Sequence, residues 1–168
     1  MTSGAVSLQD GATVSGATRQ GESWVDRDWT WRPTLPSGPM KNASLEPDRS
    51  ANIEPGAYGD TSIKSRSTLT LAPGVYRFSS LTLEPDSKLV IAGDEPPTVL
   101  LIDGQFTYRG AIQVPVGEEV SKRPLLVAAM GSYITIERPF QGTVFAPNGK
   151  ITVSPGTHEG AFLGKEVE

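Results

Sequence analysis

Threonine sits between apolar neighbours at Leu69-Thr70-Leu71, Leu81-Thr82-Leu83, Phe106-Thr107-Tyr108, Ile134-Thr135-Ile136 and Ile151-Thr152-Val153. Side chains alternate across a strand, so an apolar pair facing inward turns each hydroxyl outward. A flat ladder of such hydroxyls could order water or bind a crystalline surface. Threonine is equally a good strand residue on a solvated face. The spacings of 12, 25, 28 and 17 share no single coil length, which predicts that the five lie on different faces. The chain's three tryptophans, Trp24, Trp29 and Trp31, offer a second chemistry. Indole faces stack on the C–H surfaces of sugar rings, and they serve equally as a hydrophobic cap over a first coil.

Acid pairs occur at Asp26 and Asp28, which flank Arg27, and at Asp94-Glu95 and Glu118-Glu119. Paired carboxylates can cleave glycosidic bonds, one as acid and one as base or nucleophile. Clustered ones can bind Ca²⁺. These acids stand in turns beside Pro or Lys, the setting of solvated turn residues. His158 is the single histidine. A base needs a nucleophile and an orienting group, so His158 reads as a residue bracing a turn. Phosphate loop, zinc motif and nucleophile elbow are all missing. The expectation is no catalytic residue, no metal site and no cofactor. Asn42-Ala43-Ser44 fits the glycosylation triplet.

What positions these residues is a set of many short strands. The 168-residue chain suits one domain and a substantial core. Its 18 Gly and 14 Pro fall between short apolar runs, the pattern of brief strands joined by tight turns. The net charge of −4, without a basic stripe, argues against nucleic acid as a partner. Absence of cysteine excludes disulfides and thiolate chemistry. No stretch approaches the ~20 apolar residues of a membrane span. The first residues lack the regions of a signal peptide, and Lys165-Glu166-Val167-Glu168 reads as a strand cut short. We expect an excised domain of a longer protein, located outside the cell or on its surface.

A repeat selects the architecture. Pro55-Gly56-Ala57-Tyr58 returns 18 residues later as Pro73-Gly74-Val75-Tyr76, and Gly142-Thr143-Val144-Phe145-Ala146 is echoed 18 later from Gly160. Units this small must stack to close a core. The expectation is an all-β parallel β-helix, right-handed and three-sided, with an antiparallel β-sandwich as the alternative. The 18-residue step would place Tyr58 over Tyr76, Ile53 over Leu71 and Phe145 over Leu163 inside. Residues 1–50 read as an N-terminal strand and a Trp/Pro-rich cap, and 51–168 as the coils. Residues 115–123, polar and bounded by Pro115 and Pro124, read as a loop extruded from one turn.

The order Leu71-Ala72-Pro73-Gly74-Val75-Tyr76, Thr98-Val99-Leu100-Leu101-Ile102-Asp103-Gly104, Phe140-Gln141-Gly142-Thr143-Val144-Phe145-Ala146 and His158-Glu159-Gly160-Ala161-Phe162-Leu163 resembles bacterial secreted or surface β-helical domains of the myxobacterial type. It also resembles, more distantly, the discontinuous β-helix ice-binding domain and its adhesin relatives. The resemblance covers about residues 51–168 and rests on turn and core residues, which specify a fold rather than an activity. It implies a non-catalytic structural or adhesive module, with cell-envelope or matrix carbohydrate as the first ligand to test. Ice or crystalline-surface binding is the alternative, although Lys64, Arg66, Arg77, Glu84 and Lys88 charge the outward positions. A polysaccharide-degrading β-helix and an end-to-end homo-oligomer complete the alternatives.

Overall fold

The computed structural model describes residues 34–93, 97–114, 125–131 and 133–168. Among these there are strands and turns but no helix. The strands are β1 (Ser50–Ile53), β2 (Gly56–Ile63), β3 (Thr68–Leu71), β4 (Val75–Leu83), β5 (Lys88–Ile91), β6 (Thr98–Ile102), β7 (Phe106–Tyr108), β8 (Ala111–Gln113), β9 (Leu125–Ala129), β10 (Tyr133–Ile136), β11 (Gln141–Val153) and β12 (Glu159–Val167). Every pairing between them is parallel. Parallel neighbours require a crossover through other walls, which rules out a hairpin sandwich. The chain is a β-solenoid of about five turns, as the repeat predicts.

Three walls enclose the core. The first is β1-β3-β5-β8. The other two share long strands that bend across a corner. Thus β4 pairs with β6 through Val75–Phe78 and with β7 through Leu81–Leu83. Likewise β11 meets β9 through its first half, β10 through Tyr133↔Lys150 to Ile136↔Val153, and β12 through both halves. We call the wall through the second halves of β2, β4 and β11, with β7 and β10, the hydroxyl wall. The wall through their first halves, with β6, β9 and β12, is the apolar wall. Below the first coil, Lys41 bridges to Tyr58 and Leu45 to Ile63.

Inside, like side chains stand in columns. Leu81, Phe106, Ile134 and Ile151 form one, and Ile63, Leu83, Tyr108 and Ile136 another; all eight are buried. Each such side chain contributes about 1.5–3 kcal/mol by leaving water. Tyrosine hydroxyls brace the corners. Tyr58 donates to the Glu54 carbonyl (2.6 Å), and Tyr76 sits 2.7 Å from that of Ala72. Tyr108 donates to Pro139 O (2.9 Å) and accepts from Ile112 N (3.1 Å). Burial pushes all three phenols above their ordinary range.

The step of 18 holds for Ile53↔Leu71 and Gly142↔Gly160. At Gly160, with φ +143°, an added Cβ would lie 1.7 Å from the Gly142 carbonyl oxygen, so the repeated glycine is sterically required. Two expected stacks need correction. Tyr58 lies over Phe78, with rings 5.5 Å apart, and Gly56 lies over Tyr76. The corner after Leu71 holds two more residues than the corner after Ile53, so the step becomes 20 beyond it. Phe145 does pair with Leu163, but Val144 and Ala146 are the buried neighbours, so this pair projects outward.

Candidate functional site

The hydroxyl wall carries the site. Four of the five threonines stand in one column, in the register Thr82↔Thr107↔Thr135↔Thr152. Ser62 precedes Thr82 in it, and Ser44 continues it below, its Oγ accepting from Ser62 N at 3.1 Å. The expectation of scattered faces therefore fails for these four. Their spacings differ because the corners and loops differ in length, while the ladder restores register on the wall. Thr70 alone lies elsewhere, on the first wall between Asn52 and Val90. Strands in such a ladder rise ~4.8 Å apart, so the hydroxyls repeat at that interval. Thr107 is only 6% exposed, and Gln105 Nε2 donates to its Oγ1 at 3.1 Å. The other three are half-buried and reachable from solvent.

Two columns flank the hydroxyls. On one side the register sets Glu46, Lys64, Glu84, Arg109 and Glu137 in sequence, so charge alternates from coil to coil. Lys64 Nζ donates to Glu84 Oε1 (2.7 Å) and Arg109 Nε to Glu137 Oε1 (2.8 Å). The Glu84 carboxylate raises the pKa of the Lys64 ammonium. Next to it, on the turn, Arg66 grips Asp48 through two bonds of 2.7 and 2.8 Å and holds the Asp48 carboxyl below its ordinary value. These exposed pairs help fix register more than they stabilise.

The other flank holds Ser80, Gln105, Tyr133, Lys150 and Glu166. Tyr133 is 68% exposed, an aromatic ring standing free on a polar wall. Sequence reasoning missed it; an outward position beside the Thr135 triplet was the available signal. A depression of about 230 Å³ beside it is lined by Asn148, Gly149, Lys150, Lys165 and Glu166. Lys150 Nζ lies 2.8 Å from Glu168 and 3.4 Å from Glu166, and the hydrogen bond to Glu168 leads in raising its pKa.

The remaining expectations place as follows. Trp24, Trp29, Trp31, the acid pairs at 26/28, 94/95 and 118/119, and the 115–123 loop lie outside the described residues. His158 does brace a turn, with Nε2 donating to Ser154 O (3.0 Å) and its ring edge-on to Phe162. Asn42 Oδ1 accepts from Ser44 N (2.9 Å). Among the described residues no cluster of His, Cys, Asp or Glu could hold a metal ion, and no helix is long and apolar enough to cross a membrane. Set against family models, curated proteins and solved structures, the chain matches none of them.

Proposed function

We propose that the chain is a rigid, non-catalytic module of a bacterial secreted or surface protein, and that its hydroxyl wall binds carbohydrate. The observation that carries this reading is Tyr133, exposed beside a periodic row of hydroxyls. A ring of that kind supplies an apolar face for a sugar, while Thr135, Thr152, Asn148 and Lys150 supply directional hydrogen bonds around it. An extended polysaccharide presents hydroxyls at an interval close to the ~4.8 Å strand spacing, so one strand could engage several coils in turn. The paired state of Glu84, Glu137 and Asp103, each held by a cation, supports a binding role over an acid–base one.

Affinity electrophoresis through a panel of soluble polysaccharides tests this. Retardation of the wild type, weakened about tenfold by Tyr133→Ala with no change in melting, is the expected outcome; tenfold corresponds to ~1.4 kcal/mol. Retardation that Tyr133→Ala leaves intact would reject the site.

A second reading is favoured by the threonine column itself: adsorption to ice or another crystalline surface. The flanking ion pairs oppose it, because strongly hydrated charges resist displacement of their water. Thermal hysteresis abolished by Thr135→Lys would establish it. Absence of hysteresis and of ice shaping would remove it.

A further inference from the structure

The chain holds three asparagines, and one of them precedes a glycine. Asn148-Gly149 lies within β11, where that strand departs from its ladder. The register with β12 runs from Gln141↔Glu159 to Ala146↔Gly164 and resumes at Lys150↔Glu166. Between those points β11 has Pro147, Asn148 and Gly149 where β12 has Lys165 alone. The surplus residues bulge from the strand, with Pro147 and Asn148 exposed. No hydrogen bond to a described residue holds the Asn148 side-chain amide. Packing requires the glycine. A Cβ added at Gly149 would lie 2.7 Å from the Gly131 carbonyl oxygen and 2.9 Å from Ile134 Cδ1. The fold therefore keeps, next to an exposed and labile amide, the one residue type whose backbone nitrogen no side chain shields.

We infer that Asn148 modifies itself: the Gly149 backbone nitrogen attacks its side-chain carbonyl, and the residue converts to aspartate and isoaspartate. In the first step a bond forms between Gly149 N and Asn148 Cγ. The Gly149 N–H proton passes to the leaving amide, the Cγ–Nδ2 bond breaks, and ammonia departs from a cyclic succinimide. Water then opens the ring. Breaking the new N–Cγ bond gives aspartate. Breaking the bond between Gly149 N and the Asn148 backbone carbonyl carbon gives isoaspartate, which carries the main chain through Cγ. Water is the single co-reactant, and nothing is oxidised or reduced.

Other positions supply the contrast. Asn42 Oδ1 accepts from Ser44 N at 2.9 Å, and Ala43 after it is buried. Asn52 stands in β1 in register with Thr70, ahead of the branched Ile53. Asp103-Gly104 has a sequence suited to the same cyclisation, but Arg77 Nε holds the carboxylate at 2.8 Å and Gly104 N donates to Ser79 O at 2.7 Å. Both reacting groups are engaged there. At Asn148 the conversion adds a negative charge to the depression shared with Tyr133, Lys150, Lys165 and Glu166. The bulge, outside the ladder with β12, accommodates the additional backbone carbon of isoaspartate. The reaction is independent of what the hydroxyl wall binds.

The test ages the folded chain in mildly alkaline buffer, where the amide nitrogen loses its proton more readily, and follows intact mass and peptide maps. The expected result is the mass gain of a single amide-to-acid conversion, confined to the peptide that carries Asn148, with aspartate and isoaspartate forms resolved. Asn42 and Asn52 should stay intact, and the rate should rise several-fold from weakly acidic to weakly alkaline buffer. Asp10-Gly11 isomerises without a change of mass, so mass reports on the asparagines alone. Asn148→Gln, whose longer side chain closes a ring far more slowly, should abolish the gain and leave melting unchanged. An Asn148 peptide that stays unaltered in the native chain while the denatured chain converts would overturn the inference, as would equal conversion at Asn42 or Asn52.

Discussion

The hydroxyl wall and the apolar wall share the long strands β2, β4 and β11 and face the same core, yet present opposite outer surfaces. Strand β4 shows this within nine residues. Tyr76, Phe78, Leu81 and Leu83 point in along its whole length, while the outward side chains run Val75, Arg77, then Ser80 and Thr82. The inner columns carry the folding free energy on both walls. The outer columns are free of that duty, so one can stay solvated and periodic while the other turns apolar. A solenoid can thus separate ligand contact from packing without altering its coils.

Substitutions inside should erase the difference between the walls. Phe78→Ala on the apolar wall and Leu83→Ala on the hydroxyl wall remove fully buried side chains. They should cost ~3–5 and ~2–5 kcal/mol in chemical denaturation, with neither wall privileged. Substitutions outside should expose the difference. Leu101→Asn should lower stability by ~1–3 kcal/mol through lost apolar burial, whereas Thr82→Asn should stay within ~0.5 kcal/mol. Equal effects at the two positions would mean that the apolar wall is uncovered.

The tyrosine braces give a pH test. Burial raises the Tyr76 phenol, so the folded state holds its proton above pH 10 while the unfolded chain releases it. The associated stability is complete below pH 10 and falls as pH rises further. Melting temperature should decline above that point, and more gently in Tyr76→Phe, which forfeits ~1 kcal/mol at neutral pH for its lost hydrogen bond. The smallest expected effect is a gain. The Thr98 hydroxyl, on β6, is buried without a hydrogen-bond partner. Thr98→Val should stabilise by about 1 kcal/mol, read as a shift in denaturation midpoint.

The solenoid was legible because glycine and proline recur at corners. Gly142 and Gly160 stack as the spacing implies, both at positive φ, and at Gly160 no side chain fits. Spacing failed where corners differ. Two additional residues after Leu71 moved Tyr58 from Tyr76 to Phe78, and longer excursions between Leu83, Tyr108 and Ile136 disguised the threonine column. Aligning the apolar-Thr-apolar triplets by pattern, with coil length left free, would have found it. The unbroken run Val99-Leu100-Leu101-Ile102 likewise signalled a strand covered on both faces. Tyr133 was legible only as an outward position, since nothing local distinguishes an exposed ring from a packed one.

Everything in the comparison of walls depends on the parallel register, and the absence of cysteine allows it to be read directly. In Thr107→Cys/Thr135→Cys the thiols lie 28 residues apart in sequence but on adjacent strands, ~4.8 Å apart and within the Cα range of a disulfide. In Thr70→Cys/Thr82→Cys they are 12 apart but on different walls. The account predicts that mild oxidation closes the first pair in the folded protein and leaves the second open. Closure of the second pair with the first left reduced would contradict it.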